Sequence, residues 1–315
     1  MKYFILSLSI MMMVGLIFCI CLYQNQDHIT FPQLNHPNKM QEHTKSANER
    51  KEPQPEPLQP VNNNKMSYTL QNNELNMTYN KGNDWVKVPI EKDLLFEGEY
   101  RGNKHELIEG SYILTENRAA FLYSEGANRE SKRIVLKYSL DQGKTWKDGV
   151  VTESFPSMRF RKVDFLNDQF GYVIISGDRT MSQEYSRVFL THDGGESWEA
   201  TTDSGVTRLI SDGGFIDETT GFLSFGTINP QKPDFYVTQD GGNTWSEAVM
   251  SIPEKYDRIF VQAELPVKEG DHLSVLVNQG PNGDYEGGEV KGKLISKDNG
   301  KTWDFSKEVQ PNEAE

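Results

Sequence analysis

Four arginines, Arg159, Arg161, Arg208 and Arg258, fall in three successive stretches that each read as the approach to a β-strand. A guanidinium presents a fixed fork of donors that matches a carboxylate in pairs. Arginines delivered to one spot from separate elements are therefore the residues with which this chain would hold an anionic ligand, such as a C-terminal carboxylate or an acidic sugar. Against a formal net charge of −13, a convergent basic spot would be the exception on the surface. The plainer alternative is that these arginines are solvated or pair with acidic neighbours. Other chemistry is thin. The sequence holds no phosphate-binding loop, dinucleotide fingerprint, zinc spacing or G-x-S-x-G elbow. His28, His36 and His43 lack metal-ligand spacing, and the Gly/Asp/Glu-rich stretch from Asn278 to Gly292 lacks a calcium-loop pattern. No metal or cofactor is expected. An acidic chain with pI near 5.0 also argues against nucleic-acid binding.

The elements that would position the arginines are set by an internal repeat. Four octapeptides share one template: SLDQGKTW ending at Trp146, THDGGESW at Trp198, TQDGGNTW at Trp245 and SKDNGKTW at Trp303. A fifth, TYNKGNDW ending at Trp85, has Asn80 where the others have Asp141, Asp193, Asp240 and Asp298. These five account for all 5 tryptophans and recur at roughly fifty-residue intervals, the length of one four-stranded blade. The acidic residue is suited to accept backbone N–H groups across a tight turn, and Gly143, Gly195, Gly242 and Gly300 to supply positive φ there. The tryptophan opens the outgoing strand as a large apolar plug. These aspartates thus read as turn formers, one per blade, and not as a converging catalytic set. Between the turns the strands are visible. RKVDFL, FGYVIISG, SRVFLTHD and SWEATT precede or follow the Trp198 turn, and TRLIS, TGFLSFG, PDFYVTQD and TWSEAV repeat them around Trp245. Phe165 and Phe215 match, each followed six residues later by a glycine, Gly171 or Gly221.

The octapeptide resembles the Asp-box (BNR) repeat of sialidase-like propellers. The resemblance implies an all-β propeller of about five blades, the first without room for a full inner strand. It also brings an enzymatic expectation, a sialidase-like glycoside hydrolase, which the residues resist. The family's F/Y-R-I-P hallmark is absent, and the nearest string, MRFR from Met158 to Arg161, lies in a different blade without the proline. Tyr256, two residues before Arg258, is the only hint of the family's tyrosine. In appearance the chain is closer to non-enzymatic Asp-box propellers such as photosystem assembly factors of the Ycf48 type. That likeness implies a protein, peptide or cell-surface glycan as partner, bound on a propeller face.

Four regions follow. Residues 1–23 contain an uncharged run from Tyr3 to Tyr23, long enough to cross a bilayer as a helix, with Lys2 before it and Lys39 the next lysine after it. This predicts a single-pass signal-anchor with a cytoplasmic N-terminus and an extracytoplasmic remainder. A cleaved signal peptide would want a shorter apolar core and an A-x-A-like site. Residues 24–65 are polar and proline-rich and read as a disordered stalk. Residues 66–306 are the expected propeller, and 307–315 an acidic tail. Both cysteines, Cys19 and Cys21, lie in the apolar run, so the propeller must hold together without disulfides.

Overall fold

The computed structural model describes residues 57–311, apart from 101, 129, 227–228 and 281–282. The expected membrane span and most of the expected stalk lie outside the described residues. Among those described, no helix is long and apolar enough to cross a membrane.

The described chain forms five sheets. The first has three strands, β1 (Ser67–Thr69), β2 (Glu74–Thr78) and β3 (Val86–Glu91). The second runs β4 (Tyr112–Leu114), β5 (Ala119–Glu125), β6 (Lys132–Ser139), β7 (Lys147–Phe155). The third runs β8 (Met158–Phe165), β9 (Gly171–Thr180), β10 (Gln183–Thr191), β11 (Glu199–Ala200). The fourth runs β12 (Leu209–Phe215), β13 (Gly221–Gly226), β14 (Asp234–Thr238), β15 (Ser246–Glu247). These four-stranded sheets are antiparallel meanders. The fifth is built on β17 (Phe260–Ala263), β19 (His272–Gln279), β20 (Lys291–Ser296) and β21 (Thr302–Val309), so it continues past the expected end at 306. It gains two strands the sequence did not announce. β16 (Val249–Ser251) runs parallel beside β21, and β18 (Val267–Glu269) pairs β19.

Strand periodicity explains how the sheets stack. Successive side chains of a strand point to opposite faces. In β5, Phe121 joins the core between the first and second sheets, while Ala120 and Leu122 join the core between the second and third. In β9, Val173 and Ile175 face the second sheet, and Tyr172 and Ile174 face the fourth. Strands buried on both faces read as continuous apolar runs, which is why GYVIIS and GFLSF lack polar alternation. A further core, including Phe222, Phe235, Val275, Leu294 and Trp303, joins the fourth and fifth sheets. Among the described residues no apolar cluster joins the fifth sheet to the first, and β19 has a half-exposed face at Leu276 and Asn278.

The phenylalanine–glycine pattern also has a steric cause. Phe165 pairs Gly171 and Phe215 pairs Gly221 across their hairpins. A Cβ on Gly171 would lie 2.6 Å from the Phe165 ring, and one on Gly221 2.7 Å from the Phe215 ring. The glycine makes room for the ring to lie flat over its partner strand.

Candidate functional site

The octapeptides form one turn, repeated. In the Trp146 turn, Ser139 Oγ donates to Asp141 Oδ1 at 2.8 Å and accepts the Gly143 amide at 2.8 Å. Asp141 in turn accepts the Thr145 amide at 2.9 Å and its hydroxyl at 2.6 Å. The same bonds recur around Asp193, Asp240 and Asp298. Asn80 keeps the geometry with inverted polarity, its amide donating to the Asp84 carboxylate at 2.8 Å. The hydrogen bonds from Thr145 pull Asp141 down to about 2. Burial pushes Asp193 upward, but its bonds from Ser197, Thr191 and Glu196 together outweigh this and hold it at about 2. The aspartates are saturated acceptors with no proton to trade.

Nor are these turns free loops. A Cβ on Gly143 would overlap Met77 of the first sheet, one on Gly242 would lie 2.5 Å from Thr201 of the third, and one on Gly300 would overlap Phe222 of the fourth. Each turn is wedged against the preceding sheet. The tryptophans follow unevenly: Trp303 is fully buried, whereas Trp85, Trp146, Trp198 and Trp245 are half-buried. Only one of the five is the full plug expected. Its neighbours decide this, because Trp303 meets both the Phe222 and Phe235 rings at 6.1 Å. Neighbouring turns sit side by side, as Lys147–Glu196 at 2.5 Å and Gln239 to the Asp298 and Asn299 carbonyls at 2.9 Å show. Because strands alternate in direction, the β5–β6 and β9–β10 hairpins emerge at the opposite face.

That opposite face holds the arginines, and three of the four are committed. Arg159 clamps Glu184, whose side chain is 0% exposed, and also donates to the Ile210 carbonyl at 2.5 Å. Glu184 accepts the Ile210 amide at 2.6 Å as well, so the pair staples the third sheet to the fourth. Arg161 is 3% exposed and donates to the carbonyls of Leu95, at 3.1 Å, and Glu97, at 2.6 Å. Burial lowers its pKa to about 10, and its Nε has no partner. Arg208 is held by Asp234 and by the Tyr236 hydroxyl at 3.0 Å. Arg258 alone is exposed with no side-chain partner among the described residues, on backbone with φ 66. Arg159 and Arg208 come to neighbouring positions, Arg208 bridging Gln183 beside Glu184. They do so as staples and not as an open cluster. Arg118, which the sequence reading passed over, does the same work at the other face. It donates to the Gly194 and Asp168 carbonyls and lies 3.7 Å over the Phe165 ring.

The carbonyls that Arg161 holds belong to a strap that begins with a single helical turn, α1 (Lys92–Leu95). Phe96 and Leu95 are buried, Glu99 N–H donates to the Met158 carbonyl at 2.9 Å, and the buried Lys132 ammonium meets Glu97 at 2.9 Å. Gly98, at φ 125, lies so close that a Cβ would overlap the Met158 carbonyl oxygen. The strap thus runs against the start of β8.

The strands β8, β12 and β17, from the third, fourth and fifth sheets, converge on a cavity of about 620 Å³. Its walls include Glu109 before β4, Phe160 and Lys162 of β8, Asp212 of β12, Gln262 of β17 and Glu264 just beyond it. Each of these three strands carries a bulge near its start, at Arg159, Ser211 and Val261. A bulge adds one residue without adding a pair and re-aims the side chains that follow it. Lys162 pairs Asp212 at 2.6 Å; Glu264 accepts Lys291 at 2.5 Å and Asn278 at 2.8 Å. A larger recess of about 950 Å³ lies between the strap and the β9–β10 hairpin. Among the described residues no group of side chains is arranged to hold a metal ion.

An all-β chain of stacked sheets around a converging cavity is a β-propeller. The sequence model of the DUF6242 beta propeller domain matches residues 19–267, and the chain belongs to that family. No curated protein matches it. Similar solved structures include a protein of unknown function from Dyadobacter fermentans, at 14% identity and TM-score 0.40, covering 61% of this chain and 66% of that one. A GH43_1 enzyme from Xanthomonas citri is 10% identical with TM-score 0.39, covering 68% and 75%. The Trypanosoma rangeli sialidase, solved with sialic acid, is 12% identical with TM-score 0.39, covering 67% of this chain and 40% of that one. The chain thus spans just under two thirds of the first of these proteins and two fifths of the sialidase.

Proposed function

We propose that this chain is a membrane-anchored, extracytoplasmic Asp-box propeller of about five blades that binds a protein or peptide ligand, in the manner suggested by its likeness to Ycf48-type assembly factors. The ligand docks on the face opposite the octapeptide turns, the face that carries the exposed and uncommitted Arg258 just before β17. The observation behind this reading is the commitment of the other candidates. Arg159, Arg161 and Arg208 are spent on internal partners, and Asp212 and Glu264 are tied to lysines. A glycosidase needs a carboxyl pair free to exchange protons across a bound sugar. Anchoring rests on the uncharged run from Tyr3 to Tyr23.

The test has two arms. Photo-crosslinking side chains placed at Arg258 and at Lys297, on intact cells, should capture a partner from the first position and not the second. Purified full chain should not turn over fluorogenic sialosides or xylosides. Turnover above background would promote the hydrolase reading, and capture from Lys297 alone would put the ligand on the wrong face. Protease added to intact cells should release the propeller by cutting near EPQPEPLQP. Protection until the membrane is broken would reverse the topology.

A further inference from the structure

Resting on that reading, we infer that the central cavity receives a basic group, the ammonium or guanidinium of a side chain carried by the partner polypeptide, and not the carboxylate that a count of arginines suggests. The accounting of free hydrogen-bonding groups in the wall sets the sign. Lys162 is neutralised by Asp212 at 2.6 Å, and Lys291 by Glu264 at 2.5 Å. Arg161 is buried and turned to the strap carbonyls. What remains unengaged in the wall among the described residues is the Glu109 carboxylate, the Gln262 carboxamide and the single Nε of Arg161. Asp212 and Glu264 each spend only one oxygen, Oδ1 and Oε1, on their partners, leaving Oδ2 and Oε2 as acceptors. Acceptors therefore outnumber the donors left free around the cavity. An ammonium finds hydrogen-bond partners on several walls, while a carboxylate would meet mostly oxygens.

The bulges in β8, β12 and β17 are the independent sign that this cavity is built. Three strands from three sheets each give up a ladder pair at the stretch that lines it, and Phe160, Asp212 and Gln262 are the residues paired immediately after the three irregularities.

The full chain is titrated with the blocked tripeptides acetyl-Gly-Lys-Gly-amide, acetyl-Gly-Gln-Gly-amide and acetyl-Gly-Glu-Gly-amide, read by saturation-transfer NMR. The lysine peptide should bind at least about fivefold more tightly than the glutamate peptide, the scale of one solvent-accessible charge pair. Glu109→Gln, an exposed change that leaves the fold intact, should remove most of that preference, and Gln262→Ala should weaken the lysine peptide again. Equal or tighter binding of the glutamate peptide, no binding by any peptide, or a preference that survives both substitutions would each overturn the assignment. Capture from the Arg258 position separates the two claims. If it persists while the lysine peptide fails, the binding module stands and only the ligand's charge is wrong.

Discussion

Replacing Trp303 by alanine should cost about 3–5 kcal/mol of unfolding free energy, the range for truncating a fully buried large aromatic. Trp303 is 0% exposed, meets Phe222 and Phe235 at 6.1 Å, and donates from Nε1 to the Gly300 carbonyl at 2.9 Å. Removing it opens a void in the core between the fourth and fifth sheets that neither ring can fill without leaving its own contacts. Trp198 occupies the same place in its own turn and makes the same Nε1 bond, to Gly195 at 3.2 Å, but is half-buried. About half the apolar area is at stake there, so Trp198→Ala should cost about 2 kcal/mol. Urea titrations followed by circular dichroism, with the slope checked for constancy, would measure both. The informative quantity is the difference. Equal losses would mean that the tryptophan serves the turn itself, through the bond both residues share, and that packing between sheets does not set its worth.

Three further outcomes follow from the contacts. Arg159→Ala strands the Glu184 carboxylate, 0% exposed, without its cation and should cost about 3–5 kcal/mol by the same titration, whereas Arg159→Leu with Glu184→Leu should recover part of that loss. Gly98→Ala places a Cβ against the Met158 carbonyl on backbone at φ 125, and should cost at least about 1–3 kcal/mol and speed amide exchange at Glu99. Asp141 and Asp193, at about 2 in the folded chain against roughly 3.9 when unfolded, contribute stability that is complete above pH 4 and lost as pH falls through 2. Acid titration should therefore lower the unfolding free energy in that window, and Asp141→Asn should flatten the part of the dependence due to that turn.

The propeller was legible because its signals are local. The Ser/Thr, Asp, Gly and Trp of each octapeptide bond to one another within a single turn, and Phe165–Gly171 and Phe215–Gly221 meet across one hairpin. The strands proposed around Trp198 and Trp245 accordingly coincide with β8 to β15 within a few residues. What escaped the sequence is set by distant partners. Nothing in EKDLLFEGEY announces that Arg161 will hold its carbonyls, and the repeat cannot say that Trp303 will meet two phenylalanines while Trp245 keeps an unpartnered Nε1. The strand β16 is equally silent, since its partner β21 lies at the other end of the sheet's sequence.

The arginines show why position alone misleads. Their recurrence at the starts of first strands is real, and architecture accounts for it. Where one sheet hands the chain to the next, the backbone leaves regular pairing, and carbonyls such as Leu95, Glu97 and Ile210 need donors. A long side chain with five N–H groups can satisfy two of them, or one carbonyl and one carboxylate, without giving up its own strand. The same demand at the other face is met by Arg118, which bonds Gly194 and Asp168 and was not part of any repeated pattern. Similar residues at similar places in successive sheets thus mark a shared structural need and not by themselves a ligand site, and the groups that this need leaves over include Glu109, Gln262 and Arg258.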